Sequence, residues 1–408
     1  MNQIETRNNF FENASHYLLI CFSLFFPISV FLGNLFAISL VLAWILFPGL
    51  KARFYFVKND TLVRYFALFF LLHVVGLLWT EDIQWGLYTL KKMLEFIILF
   101  PVLVSLIQKD KKEKYIYVFI LSVSISVFFS YLIYFEFLEP FKNATLVNPT
   151  PFMSHISHGP FVAFSSFLIL NFLFRYIEKK MFNYRFLLLF ILFIIFSLNV
   201  FLTGGRTGYI SYILLTFLAI FQSYSSGKKH ISALLFFLVS IGLVSVFNFG
   251  EIFRDRVYEG FNDIEKYYQE PYSNIGIRLK IAENSLPIIK NNLVYGAGTG
   301  DFPLEYRKIN STLSPSMPES ENPHNMYILL MVQFGLIGIA IYFLMLFKQW
   351  KLVSKNTGIF KSSGHGLIIF FVFINFGDSY FLGHFSSFLY IFFSAIFNHL
   401  KSNEKHTL

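Results

Sequence analysis

Twelve apolar runs, most of them long enough to cross a bilayer, constrain this chain more than any other feature of its sequence. They centre on residues 16–31, 33–49, 63–80, 90–108, 115–135, 159–175, 185–202, 206–224, 231–249, 324–347, 364–381 and 383–399. A crossing takes roughly 20 consecutive apolar residues as a helix. Backbone N–H and C=O groups in lipid have no water to bond, so each run is expected to be helical. The expected fold is an all-α polytopic membrane protein with about twelve transmembrane helices. Only 14% of residues are charged and 55% are hydrophobic, with 56 phenylalanines. Soluble domains carry about 25% charged residues. The one cysteine, Cys21, excludes a disulfide framework or a cysteine-based metal site within one chain.

The net charge of +9 is explained by topology. The segments "KARFYFVKND", "QKDKKEK", "RYIEKKMFNYR", "SSGKKH" and "KQWKLVSKNTGIFKSS" are basic and belong on the inner side. "TEDIQ", the loop around 136–157, "TGGR" and the segment 250–323 fall on the other side, with both termini inside. Nucleic-acid binding is not expected; the positive charge reflects the positive-inside rule. The N-terminus has no compact basic region and no small-residue cleavage site, so the first helix is read as an uncleaved signal-anchor. The chain divides into helices one to nine (1–249), an outer loop (250–323), and helices ten to twelve with a short inner tail (324–408). In that loop Phe253, Val257, Phe261, Ile264 and Tyr268 recur at helical spacing. They predict an amphipathic helix, lying on the membrane or packed on the bundle. A second helix is expected after Ser273, ending in "GAGTG", where glycines 296, 298 and 300 allow unusual backbone conformations.

The outer half is acid-rich, so its cations stand out. Arg206, in "FLTGGRTGYISYIL", follows two glycines and opens the eighth helix. A turn this short places a guanidinium beside the free N–H groups of a helix start, and both favour an anion. Interfacial snorkelling explains a lone arginine at least as well. Arg278, in "NIGIRLK", taken alone reads as a surface residue paired with an acid. Arg254, Arg256 and Arg307 read as solvated loop charges. His324, in "ENPHNMYILLMVQFGLIG", follows Pro323 and opens the tenth helix together with Asn325. An imidazole at a membrane surface can accept a proton near neutral pH, and Asn325 can orient a hydroxyl or phosphate. Helix capping is the plainer role for the histidine. Asp378, in "INFGDSYFLG", is costly at a membrane unless an outer Arg or His pairs with it. Lys91 and Lys92 open the fourth helix, with Lys91 and Glu95 at i,i+4 spacing. His155 and His158 have the spacing of a metal pair but no further ligands, so no metal site is expected. D-x-D, P-loop, G-x-S-x-G and H-E-x-x-H patterns are absent, which argues against nucleotide sugars and ATP as direct substrates.

Taken together, His324, Asn325, Gly335 and Gly338 fit a pattern of His, then Asn, Ser or Gln, nine residues, then Gly-x-x-Gly. This pattern, the "GGRTGY" at Arg206 and Arg278 ahead of "GAGTG" resemble the motifs of the O-antigen ligase and polymerase superfamily of bacterial inner membranes. The motif resemblance covers roughly residues 200–385, and the twelve-helix layout extends it across the chain. The resemblance implies a GT-C-like, metal-independent glycosyltransferase with no cofactor, working at the periplasmic face of a Gram-negative inner membrane. Its donor would be a glycan on undecaprenyl pyrophosphate and its acceptor a sugar hydroxyl of the lipid A core, both met among membrane lipids. Arg206 and Arg278 would bind the pyrophosphate and His324 would be the base. Asn325, Asp378, Lys91 and Lys92 are candidate supporting residues. An O-antigen polymerase or a protein O-oligosaccharyltransferase shares the donor chemistry; a polyprenyl-linked sugar transporter or flippase is the reading outside enzymes.

Overall fold

The computed structural model describes residues 2–269 and 271–399, with side chains from Phe10 onward. Among them every regular element is helical. The N-terminal part forms α1 (Asn2–Phe25), α2 (Val30–Leu46), α3 (Leu50–Asn59), α4 (Thr61–Gly76), α5 (Ile83–Ile97), α6 (Leu99–Leu106) and α7 (Lys112–Tyr134). The middle forms α8 (His155–Glu178), α9 (Tyr184–Leu202), α10 (Arg206–Ser225) and α11 (Lys229–Phe249). The segment 250–323 holds α12 (Glu251–Glu265), α13 (Asn274–Asn291) and α14 (Phe302–Leu313). The chain ends in α15 (Met326–Val353), α16 (Gly358–Ile374) and α17 (His384–Phe397).

The chain is an all-α polytopic membrane protein. Each of the twelve apolar runs is helical over most of its length. By length and composition, five helical stretches among the described residues are fit to cross a membrane: Lys109–Tyr134, His155–Glu178, Tyr184–Leu202, Lys229–Phe249 and Met326–Val353. Val30–Leu46 and Leu50–Asn59 make a sixth if taken as one span, bent by 112°. Gly49 makes that bend at φ 84°, and the buried Arg53 secures it. Its guanidinium donates to Trp44 O at 2.7 Å, Phe47 O at 2.7 Å and Pro48 O at 2.6 Å, meeting carbonyls that the end of α2 leaves open. Three corrections concern boundaries. The run at 90–108 is two helices, α5 and α6, and Lys91 and Lys92 lie inside α5 rather than opening a helix. The run at 364–381 ends as helix at Ile374, which leaves Asp378 in a loop. The stretch after "GAGTG" contains α14, which the sequence reading did not include.

α8 is buried along almost its whole length, whereas α11 fully buries only Ser232 and lies at the periphery. A Cβ placed on Gly208 would lie 2.7 Å from Gly159 Cα, so α8 and α10 touch backbone to backbone. That contact sets the start of α10, and Arg206 with it, beside His155 at the start of α8. The basic connections gather at one end of the bundle: Lys112 Nζ donates to Asn398 O (3.1 Å), Arg175 pairs with Glu113, and Lys228 pairs with Glu178. At the other end Lys308 pairs with Glu81, and Arg278 reaches Gly377 O.

α15 is broken at Gly335, which has φ 57° and ψ −148°. The loop Gly296–Gly300 fills the break. The N–H groups of Ala297 and Gly298 donate to Val332 O (2.8 Å) and Gln333 O (3.1 Å), and those of Leu336 and Ile337 donate to Leu293 O (2.9 Å) and Val294 O (3.2 Å). Backbone groups freed by the break therefore find partners within the chain, as burial in a membrane protein requires. Glycines 296, 298 and 300 all have positive φ (75°, 125°, 84°), and a Cβ on Gly296 would lie 2.2 Å from the backbone of Gln333. Asp301 completes the clamp by accepting from the N–H groups of Glu81 (2.8 Å) and Asp82 (2.9 Å) ahead of α5.

Candidate active site

The loop Asn375–Gly383, between α16 and α17, is where the candidate residues converge. His324 does not lie in α15; it precedes the helix with φ 51°, an uncommon conformation for a residue with a Cβ. Asn325 is the N-cap, with Oδ1 accepting from the N–H groups of Tyr327 (2.9 Å) and Ile328 (3.1 Å). Its Nδ2 donates to Phe376 O at 3.3 Å, so both ends of this amide serve the backbone. The cap thus belongs to Asn325, which leaves the His324 ring free for another role.

His324 Nδ1 lies 3.3 Å from Asp378 Oδ1. The nitrogen is buried and off line for a well-formed hydrogen bond, so the contact is one of proximity. Asp378 Oδ1 also accepts from Asn322 Nδ2 (2.9 Å) and Ser379 N–H (2.7 Å). Asn322 Oδ1 in turn accepts from Ser379 Oγ (2.7 Å) and His324 N–H (3.1 Å). Burial raises the Asp378 pKa, but the adjacent His324, the Ser379 N–H and Arg278 outweigh it and hold the group below its usual value, as a carboxylate. Arg278 Nη1 donates to Gly377 O at 2.8 Å, one residue from that carboxylate. The loop also meets α10: a Cβ on Gly377 would lie 3.2 Å from Thr207 Oγ1, next to Arg206.

Arg206 is spoken for by α12. Its Nη1 lies 3.3 Å from Asp263 Oδ2, its Nη2 3.3 Å from Glu259 Oε2, and its Nε donates to Arg256 O at 3.2 Å. Arg256 is a half-buried neighbour rather than a solvated charge. It pairs with Glu259 at 2.7 Å and packs against Gly204. Its position three residues from Phe253, the one fully buried apolar residue of α12, was the available signal. Of the expected amphipathic face, only Phe253 is fully buried, against Phe201, Tyr209 and Phe247, and Val257 is partly so; Phe261, Ile264 and Tyr268 are exposed.

A cleft of about 320 Å³ opens beside the loop, with Trp85, Tyr88, Lys92, Asn322, Gln333 and Asp378 on its walls. Lys92 Nζ sits 4.6 Å from the Tyr88 ring centre. Lys91 is exposed elsewhere on α5, and the expected Lys91–Glu95 pair is replaced. Glu95 accepts from Ser387 Oγ, and its carboxylate lies 4.0 Å from His384. His155 and His158 do not act together. His158 is buried between α7 and α9, with Nε2 2.9 Å from Asn199 Oδ1 and Nδ1 3.3 Å from Ser126 Oγ. Among the described residues no group of three His, Cys, Asp or Glu is placed to hold a metal ion.

Residues 191–343 match the family model of the O-antigen ligase. Over that segment the chain is similar to the O-antigen ligase and polymerase superfamily. No curated protein matches it significantly. The family match runs from α9 into α15 and takes in Arg206, Arg278, His324, Gly335 and Gly338, while Lys92 and Asp378 fall outside it. Members of the family are glycosyl-transferring enzymes.

Proposed function

We propose that this chain is a lipopolysaccharide O-antigen ligase, which moves a glycan from undecaprenyl pyrophosphate to a sugar hydroxyl of the lipid A core. One observation carries the reading: Arg278, the His324–Asp378 pair and the start of α10 meet at the loop Asn375–Gly383, beside an open cleft. The acceptor sugar lies in the cleft. Its hydroxyl oxygen attacks the anomeric carbon, the bond from that carbon to the pyrophosphate oxygen breaks, and undecaprenyl pyrophosphate leaves. Arg206 and Arg278 face the charge that grows on the leaving phosphate, as planar forks of donors suited to its oxygens. With Nδ1 turned to Asp378, the free nitrogen of His324 is Nε2, which takes the acceptor proton. Asp378 orients the ring and stabilises the imidazolium. Attack opposite the leaving group inverts the anomeric centre, and no metal ion takes part.

The polyprenyl tail has a matching place. An apolar groove of about 270 Å³ lies between α9, α10 and α11, lined by Phe190, Phe193, Leu198, Phe201, Leu238 and Leu243. Phe201 stands three residues before Gly204, so the groove ends near Arg206. On this reading the chain crosses the inner membrane about twelve times in a GT-C-like arrangement, with both termini cytoplasmic. Helices one to nine, the periplasmic segment 250–323 and helices ten to twelve are its parts. The break in α15 does not favour a transporter, since the chain's own backbone fills it.

The test is deletion of the gene, complementation with Arg278→Ala, and lipopolysaccharide gels. A ligase mutant makes core without O-chains and accumulates polymer on the lipid carrier, and Arg278→Ala inserts normally without restoring transfer. Core bearing a single repeat would identify a polymerase instead. Normal lipopolysaccharide with unglycosylated periplasmic proteins would identify a protein oligosaccharyltransferase. Transfer by the purified enzyme continues in EDTA.

A further inference from the structure

Every nitrogen of the Arg206 guanidinium faces α12: Nη1 meets Asp263, Nη2 meets Glu259, and Nε meets the Arg256 carbonyl. Arg256, the neighbouring cation, is paired with the same Glu259. Three of the guanidinium's five N–H donors are engaged in this way, one on each nitrogen, so a phosphate oxygen meets a cation already paired with two carboxylates. The two acids offer carboxylate oxygens where an anion's oxygens would sit, so α12 covers the arginine with an internal anion. The helix is also built to move from one end. Phe253, in its first turn, is held between Phe201, Tyr209 and Phe247. Beyond it, Tyr258, Phe261 and Ile264 are more than half exposed, and the part that carries Glu259 and Asp263 rests on Arg206 and on contacts with α13 rather than on a buried apolar anchor.

We propose that Glu259 and Asp263 compete with the donor for Arg206, making α12 a gate that opens only to an anion able to replace both carboxylates. A diphosphate has enough oxygens and charge to take both Nη positions; a monophosphate replaces one acid and leaves the other in place. The two acids therefore set the selectivity of the site for a carrier diphosphate over a carrier monophosphate. This rests on Arg206 being a donor-binding residue, as proposed above.

The test uses the full-length protein in lipid nanodiscs, with undecaprenyl pyrophosphate and undecaprenyl monophosphate as probes. Glu259→Gln with Asp263→Asn keeps the shape of both side chains and removes their charge. Releasing two partly exposed ion pairs should tighten diphosphate binding by about tenfold. Monophosphate binding should tighten by at least as much, narrowing the ratio between the two. Glu251→Gln makes the same kind of charge change at an exposed position of α12 away from Arg206, and should leave both affinities unchanged. Equal tightening by Glu251→Gln, or none in the double variant, overturns the gate. Adding Arg206→Ala to the double variant should abolish the gain. If that triple variant binds diphosphate as tightly as the double variant, the assignment of Arg206 to the donor fails instead.

Discussion

His324 shows how one residue can be local in geometry and distant in consequence. Its backbone is held in the left-handed region by two neighbours: the Asn322 side chain takes its N–H, and Asn325 caps the helix that follows. This conformation costs on the order of 1–3 kcal/mol for a residue with a Cβ, and it turns the imidazole to Asp378. If the pair works as base and orienter, His324→Ala lowers kcat by about 10²–10⁴-fold while donor affinity is kept. Equal loss of donor affinity would move His324 into the pyrophosphate site. Asp378→Asn should likewise lower kcat without weakening donor binding. The pair also has a signed pH dependence. The carboxyl pKa is lowered by folding, so its contribution to stability is complete above the ordinary value of 3.8 and is lost as pH falls through the lowered one. The thermal-stability gap between wild type and Asp378→Asn should be flat from pH 8 to about 5 and close only below the ordinary carboxylate range. A gap that closed near neutral pH would contradict this.

The element that organises the site is the interrupted helix α15. Its Gly-x-x-Gly was visible in the sequence only through resemblance, and the glycines of "GAGTG" only as residues tolerant of positive φ. That one loop fills the other's break was not legible, because the contact is backbone to backbone between segments far apart in the chain, with no side-chain pattern to announce it. For the same reason α14 was missed: Pro303 near its start and the polar residues after it look like loop. The Lys91–Glu95 pair failed although both residues keep their i,i+4 spacing within α5: Glu95 faces inward to Ser387 of α17, while Lys91 stays exposed. The break makes a specific prediction. A Cβ on Gly335 would lie 2.4 Å from Leu293 O at a φ of 57°, so Gly335→Ala should lower the melting temperature of the purified protein and abolish transfer. A stability loss of about 1–3 kcal/mol follows from the backbone strain alone. Gly242, in peripheral α11 with open space around its Cα, is the control. Ala there should be neutral or slightly stabilising, since glycine is the poorer helix former by about 1 kcal/mol. If both substitutions are equally mild, the break is not a structural requirement.

At the scale of the whole molecule, far more was legible. Apolar runs gave the helices because lipid leaves the backbone no other partner, and the Lys and Arg of the connections carry the expectation of which end faces in. The folded chain groups those connections as the charges require. Lys112 reaches Asn398, Arg175 meets Glu113 and Lys228 meets Glu178 at one end, while Lys308 meets Glu81 and Arg278 meets Gly377 at the other. What composition could not resolve was which basic residues serve the bilayer surface and which serve the chain; Arg53, in the inner segment, turned out to close the end of α2. The grouping fixes the two ends relative to one another, and the proposed function needs the end with α12 to α14 to face the periplasm. Cysteine labelling tests that assignment directly. With the partly buried Cys21 changed to Ala, a single cysteine replaces exposed Arg307 in α14, or exposed Lys180 in the connection from α8 to α9. A membrane-impermeant maleimide added to cells with a permeabilised outer membrane should label the Arg307→Cys protein at once. The Lys180→Cys protein should react only after the inner membrane is broken. The reverse pattern would turn the molecule over, place the cleft and His324 in the cytoplasm, and remove the periplasmic ligase reading along with them.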